Sequence, residues 1–295
     1  MFLRSLLTAS LAFAAVPAAA QERAAPPVTG APRTILFVGN SFTQGAHSAV
    51  RNYRANTVTD LNGDGYGGVP ALFKRFTEEA GQNWQVSLET QGGKSLGFHY
   101  AERRQKLGGR WDAVVLQEYS TLDRERPGDP RDTLRSTPLL AQLFTSANPT
   151  VNIQLMATWS RADATWQPKG DWYGKRITQM AADLRAGMNR VRAAVPAVRG
   201  VLPVGEAWNR AFAKAVFDPN PYDGITYGQL DPWAYDHYHA SVAGYYLEAL
   251  VVFGRIAGVD PRSLGPQEKA ADDLGLSEQQ TSALQQIAWE QLQAG

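Results

Sequence analysis

Apolar residues along this chain fall into two kinds of run. Short β-branched and aliphatic runs end at a glycine or a polar residue. Thr34-Ile35-Leu36-Phe37-Val38 stops at Gly39, and Ala113 to Gln117 and Gly200 to Val204 share that form, so each predicts a strand buried on both faces. Gln85 to Glu89 and Val151 to Ala157 alternate polar with apolar, which predicts strands with one face less covered. Between these runs, helical spacing of apolar residues predicts helices over Val69 to Ala80, Leu96 to Leu107, Thr133 to Ser146 and Tyr173 to Ala194, the last stopping before Pro196. Two more helices are expected near the end, one over Ser241 to Ile256 and one opening with the capping box Ser277-Glu278-Gln279-Gln280. The polar, Pro- and Gly-containing stretch from Asp260 to Gly275 reads as the loop between them.

Alternating strand and helix imply right-handed crossovers and a parallel sheet covered on both faces. The expected fold is therefore α/β, a three-layer α/β/α sandwich around a five-stranded parallel sheet. Ligands of such open sheets sit beyond the carboxyl ends of the strands. Chemistry should be sought in the loops that follow them.

Composition narrows the classes of function. The 295 residues are 44% hydrophobic and 19% charged, and 29 Lys and Arg balance 28 Asp and Glu, which argues for a globular domain and against nucleic acid or an anionic membrane surface as partner. Cysteine is absent, which removes disulfides, thiolate nucleophiles and cysteine zinc sites. At the start, Arg4, the apolar run Leu6 to Val16 and the small residues Ala18-Ala19-Ala20 before Gln21 describe a secretory signal peptide over 1–20. The apolar run is shorter than the roughly 20 residues of a spanning helix, so a removable signal is preferred to an anchor and no stable membrane span is expected. A Pro- and Ala-rich flexible leader follows over 21–32, and 33–295 form one domain. Export without disulfides fits a bacterial periplasm or the medium.

The first strand runs into Gly39-Asn40-Ser41-Phe42-Thr43, which places a serine hydroxyl at the carboxyl end of a central strand. Ser41 either acts as a nucleophile or caps the turn that follows, as small hydroxyl residues often do. It does not stand in the Gly-x-Ser-x-Gly elbow, because Thr43 occupies the second Gly position. Downstream, Asp236 and His239 stand three apart just before an apolar helix. A serine hydroxyl is a weak nucleophile unless an imidazole takes its proton and a carboxylate orients that imidazole. Asp236 and His239 supply both from one loop. His237 is the rival base among only 4 histidines, but neighbouring side chains on an extended loop point apart, which favours His239.

These residues resemble the first and last blocks of the SGNH/GDSL hydrolase superfamily, in the same order of Ser, Asp and His. The likeness is closer to a bacterial SGNH-like group with a Gly-Asn-Ser-Phe-Thr start, a Gly-Gly-x-Ser-Leu segment and a Val-Val-Leu-Gln-Glu strand end, matched here by Gly92-Gly93-Lys94-Ser95-Leu96 and Val114-Val115-Leu116-Gln117-Glu118. It spans roughly Ile35 to Leu250 and implies the flavodoxin-like SGNH hydrolase fold. It further implies an oxyanion hole built from the N–H groups of Ser41 and of Gly92 or Gly93. The usual third donor, an asparagine in a Gly-x-Asn block, has no match after the third strand, and by analogy with some SGNH-like carbohydrate acetylesterases the Gln117 amide is expected in its place.

Glu118, Trp159 and Glu206 fall at or just beyond strand ends and are candidates for lining a substrate pocket. Asp60-Leu61-Asn62-Gly63-Asp64-Gly65 repeats the first half of a calcium loop through Asp60, Asn62 and Asp64, but Ala71 stands where a bidentate Glu would close the shell. A turn-rich loop is the preferred reading, and no metal or other cofactor is expected. Trp159, Trp166, Trp172, Tyr173, Trp208, Tyr222, Tyr227, Trp233 and Tyr235 gather in loops about the predicted active face, where flat rings suit sugars or simply fill the core. The expected activity is an exported serine esterase that removes a short acyl group such as acetate from a carbohydrate or small-molecule ester. A lipid esterase or thioesterase would use the same residues, and a non-catalytic periplasmic carbohydrate-binding protein could keep the fold.

Overall fold

A computed structural model describes residues 29–294. The expected signal peptide and most of the expected leader lie outside the described residues. The chain proceeds through β1 (Thr29–Gly39), β2 (Thr59–Asp60), α1 (Gly68–Glu79), β3 (Gln82–Thr90), α2 (Leu96–Leu107), β4 (Ala113–Leu116), α3 (Arg131–Ala147) and β5 (Asn152–Ala157). It continues through α4 (Ala162–Trp166), α5 (Thr178–Ala194), β6 (Val198–Pro203), α6 (Val204–Ala213), α7 (Val242–Ala257), α8 (Lys269–Asp273) and α9 (Glu278–Ala294). All strand pairs are parallel, in the order β2-β3-β1-β4-β5-β6.

The sheet has six strands rather than five. The extra one, β2, is a two-residue edge piece pairing Thr59 with Ser87 and Asp60 with Leu88, too short to leave a pattern in the sequence. β1 also reaches back to Thr29, paired with Gln82 across a register shift. Helix α5 starts at Thr178 instead of Tyr173, after Gly174 takes a left-handed φ of 74° that a helix does not tolerate.

Period-two alternation divides the core. Ile35 and Phe37 of β1 and Ala113 and Val115 of β4 pack with residues of α1, α6, α7 and α9, while Leu36, Val38, Val114 and Leu116 pack with α2, α3 and α5. Both faces are buried, as the aliphatic runs require. At the end of the chain the capping box forms as spelled: Ser277 Oγ accepts from Gln280 N at 3.3 Å, and Gln280 Oε1 accepts from Ser277 N at 2.9 Å.

Helix α7 lies against α1, α6 and α9 and is apolar almost all round, which leaves Glu248 completely enclosed. Neither of its carboxyl oxygens has a hydrogen-bond partner among the described residues, and burial pushes its pKa well above the ordinary value. A carboxyl that holds its proton more tightly when folded makes the fold lose stability as pH rises above the unfolded value, the folded state then binding more protons. Glu248→Gln should flatten that loss. In urea unfolding, the stability of wild type relative to the variant is expected to fall from about pH 4.5 upward, by about 1.4 kcal/mol per pH unit, and parallel curves would refute the assignment.

Candidate active site

Ser41 sits in the turn that leaves β1. The turn closes through Gln44 N donating to Asn40 O at 3.0 Å and Ala46 N donating to Ser41 O at 3.0 Å. Beneath it, Gln117 Oε1 at the end of β4 accepts from Asn40 N at 2.9 Å and from Thr43 Oγ1 at 3.2 Å. Gly39 is required by this crowding, because a Cβ there would stand 2.3 Å from Thr43 Oγ1 and 2.7 Å from Gln117 Oε1. The Asn40 side chain donates to the carbonyls of Lys94 and Glu118 at 3.0 and 3.2 Å, tying the Ser41 turn to the loop after β3 and the loop after β4.

The second segment is a tight turn ahead of α7. Asp236 Oδ1 accepts from Tyr238 N at 3.2 Å and from His239 N at 3.0 Å, while Ala234 N donates to His239 O at 2.8 Å. His237 occupies a left-handed φ of 55° at the apex, a conformation that costs a non-glycine residue on the order of 1 kcal/mol. This apex directs the two histidines apart. His237 packs its ring against Tyr222 at 4.4 Å, and His239 turns inward.

His239 then joins the two segments. Its Nε2 lies 2.9 Å from Ser41 Oγ and its Nδ1 lies 2.6 Å from Asp236 Oδ2. An ionised carboxylate can only accept, so Nδ1 carries the proton; in the neutral ring Nε2 is then the acceptor for the Ser41 hydroxyl. Burial pushes the His239 pKa below its ordinary value and outweighs the opposing pull of Asp236. Burial acts on Asp236 in the raising direction, but hydrogen bonds from the His239 ring and from the N–H groups of His239 and Tyr238 hold it below the usual carboxylate range.

Aromatic packing fixes both ends. Phe42 stacks on Trp159 at 4.1 Å, Trp159 stacks on Trp208 at 4.9 Å, and Phe42 meets the edge of the His239 ring at 5.6 Å. From α7, Tyr245 donates its hydroxyl to Ala46 O at 3.1 Å.

Other expected site residues are placed differently. Gln117 is wholly buried, and its amide N–H donates to the carbonyl of Glu118, so it braces the turn from below instead of presenting a donor to substrate. The Ser41, Gly92 and Gly93 N–H groups, by contrast, donate to no acceptor among the described residues. Gly93 has a left-handed φ of 67°, which suits glycine there. Glu118 is enclosed, accepts from Leu96 N and Tyr119 N at 3.1 and 2.7 Å, and is pushed by burial up to about 7. Trp159 is likewise completely buried, and Glu206 pairs with Arg185 at 3.2 Å. Strand-end position brought these three close to the loops, but their side chains serve packing and bracing.

The calcium-like loop closes on itself. Asp60 accepts from the N–H groups of Asn62 and Tyr66, and Asn62 Oδ1 accepts from the Lys106 ammonium at 2.8 Å. A lysine thus meets the oxygen that would have faced a cation, and Asp64 is exposed at the tip. The nine aromatic residues separate into two sets: Trp159, Trp172, Trp208 and Trp233 are buried, while Trp166, Tyr173, Tyr222, Tyr227 and Tyr235 are exposed.

One residue at the site was not expected. His47 stands in the loop six positions after Ser41, with a φ of 63°; its Nδ1 lies 2.6 Å from the Tyr235 hydroxyl and its Nε2 lies 3.9 Å from Asp236 Oδ2. Its ring is 4.4 Å from that of His239. His47, Asp236 and His239 could together hold a metal ion, their ligand atoms lying within 4.8 Å of one another. Two of the three already form the Ser41 hydrogen-bond chain, so an ion there would compete with that chain for the His239 ring.

No protein-family model and no curated protein matches the sequence. Solved structures do. A DUF4886 family protein from Bacteroides uniformis superposes with a TM-score of 0.58 at 14% identity, covering 89% of this chain and 95% of that one. A candidate SGNH hydrolase from Slackia heliotrinireducens gives 0.51 at 18% identity, with 77% and 100% covered. A variant of an acetyl-xylooligosaccharide esterase from Geobacillus stearmophilus gives 0.50 at 16% identity, with 78% and 96% covered. In its architecture, a parallel sheet between two helical layers, this chain has the fold of the SGNH hydrolases.

Proposed function

We propose that the protein is a carboxylic ester hydrolase that works through Ser41, His239 and Asp236, with a short acyl group on a carbohydrate as its preferred substrate. The observation that carries this reading is the unbroken line of hydrogen bonds from the Ser41 hydroxyl through His239 to Asp236, at 2.9 and 2.6 Å.

In the reaction, Ser41 Oγ attacks the ester carbonyl carbon as its proton passes to His239 Nε2. Asp236 stabilises the imidazolium that forms and keeps its proton on Nδ1. Negative charge gathers on the former carbonyl oxygen, where the N–H groups of Ser41 and Gly93 serve as donors, each such donor being worth about 10²–10³ in rate. As the tetrahedral species collapses, the carbon–oxygen bond to the alcohol breaks and His239 returns its proton to the departing oxygen. A water molecule then gives a proton to His239 and attacks the acyl-enzyme. Collapse of that second tetrahedral species returns the proton to Ser41 and frees the acid. Two points support the carbohydrate side of the proposal: the exposed rings of Tyr222 and Tyr235, on or beside the loop that carries His239, and the fold shared with an acetyl-xylooligosaccharide esterase. Delivery outside the cytoplasm by residues 1–20 belongs to the same proposal.

Purified protein is expected to release p-nitrophenol from p-nitrophenyl acetate, with Ser41→Ala and His239→Ala each lowering kcat/KM about 10³-fold or more. His237→Asn, which tolerates the left-handed backbone, should retain activity; loss in that variant with retention in His239→Ala would reverse the assignment of the base.

Catalysis needs His239 unprotonated, and its pKa lies below the ordinary value. The rate should therefore hold through pH 7 and decline only below about 6.5. A midpoint above 7 in the profile of kcat/KM would contradict the buried base.

Expressed with its own N-terminus in a Gram-negative host, the protein should be recovered from the periplasm or medium with Gln21 as its first residue. Retention of Met1 in the cytoplasmic fraction would remove export from the proposal.

A further inference from the structure

Beside the candidate active site lies a cavity of about 460 Å³ whose wall carries Lys94, Arg124, Arg126, Arg131 and Arg135. It shares structure with the nucleophile turn. Gly93, a donor assigned above to the oxyanion, lies in its lining, and the carbonyl of the next residue, Lys94, accepts from Asn40 Nδ2 at 3.0 Å. The Arg124 guanidinium donates to Gly93 O and lies 4.6 Å over the Tyr119 ring, which fixes one cation at the boundary between cavity and reacting serine.

The charges here do not cancel. Asp123, Glu125 and Asp132 also line the cavity. Asp132 is taken up by Arg135, and Arg131 is paired with Asp129 at 3.2 Å. Asp123 caps its own turn by accepting from the N–H groups of Glu125 and Arg126 at 2.8 and 2.9 Å. Lys94 and the Arg126 guanidinium make no ion pair among the described residues; Lys94 rests 5.0 Å over the Phe98 ring. With Asp129 counted beside Arg131, five cations meet four anions here, and the excess lies with Lys94 and Arg126, which leave this concave surface positive. Guanidinium groups present planar pairs of donors that match a carboxylate, and the Tyr119 and Phe98 rings hold Arg124 and Lys94 over their faces at the cavity wall.

We propose that this cavity is a subsite for a carboxylate-bearing saccharide, so that the esters handled at Ser41 sit on acidic rather than neutral sugars. The inference rests on the esterase reading for its biological sense, but the subsite can be tested without turnover.

The experiment is calorimetric titration of the full-length Ser41→Ala variant with unesterified trigalacturonate and, in parallel, with neutral xylotriose. At 20 mM salt the acidic trisaccharide is expected to bind at least about tenfold more tightly, and raising salt to 500 mM should remove most of that advantage as the charges are screened. Arg126→Glu, a change at an exposed position, should weaken trigalacturonate about tenfold and leave xylotriose unchanged. Equal binding of the two sugars, or acidic binding indifferent to both salt and Arg126→Glu, would overturn the subsite. Turnover of p-nitrophenyl acetate by the wild type reports separately on the esterase reading, so failure of one is distinguishable from failure of the other.

Discussion

A neutral imidazole fixed between a hydroxyl and a carboxylate is the arrangement to which the rest of this molecule is fitted. His239 and Ser41 are separated by 198 positions, and nothing local to either segment could hold them 2.9 Å apart. The sheet supplies one end, because β1 is the central strand that delivers Ser41 to its carboxyl edge. Helix α7 supplies the other, because its entry turn carries Asp236 and His239 and its body is buried against α1, α6 and α9. The stack of Phe42, Trp159 and Trp208 spans between them. Displacing any of these rings would move the imidazole relative to the hydroxyl, and in the proposed mechanism a misplacement of about 1 Å would be costly.

Electrostatics follow from the same enclosure. Burial lowers the affinity of His239 for a proton, and Asp236, held by three hydrogen bonds, keeps its charge. The imidazole is therefore held neutral beside a charged carboxylate, the pairing on which the proposed mechanism rests. Next to it, His47 and Tyr235 form a second, more exposed pair, which places another imidazole within the field of Asp236 without joining the hydrogen-bond chain.

The residues that act through position in the chain were legible in the sequence. Gly39-Asn40-Ser41 follows a strand whose aliphatic run is unmistakable, and the three-residue spacing of Asp236 and His239 closes into a turn that hydrogen-bonds to itself. What a side chain does once placed was harder to read. Gln117 stands where a donor was sought, but its direction is set by the Asn40 N–H above it and the Glu118 carbonyl beside it, neither of which spacing reveals. Trp159 and Glu118 stand at or just beyond strand ends, where pocket residues were sought, but both are buried, which spacing does not reveal. His47 left no signal at all, since a single left-handed residue in a loop has no period. The sheet was one strand short in the expectation because two residues of β2 carry no alternation.

That small strand has a bearing on how the molecule meets its own copies. At one margin of the sheet the two residues Thr59 and Asp60 cover only Ser87 and Leu88 of β3, and where β3 extends past them the Lys74 ammonium is already bonded to the Trp84 carbonyl. At the other margin β6 ends in Pro203, which has no N–H to offer. Truncated, charged or donor-poor borders of this kind are poor templates for adding strands from a neighbour. Growth of the sheet from molecule to molecule is thereby discouraged at both borders, and a protein with no cysteine to cross-link it keeps its long hydrophobic strands in the interior.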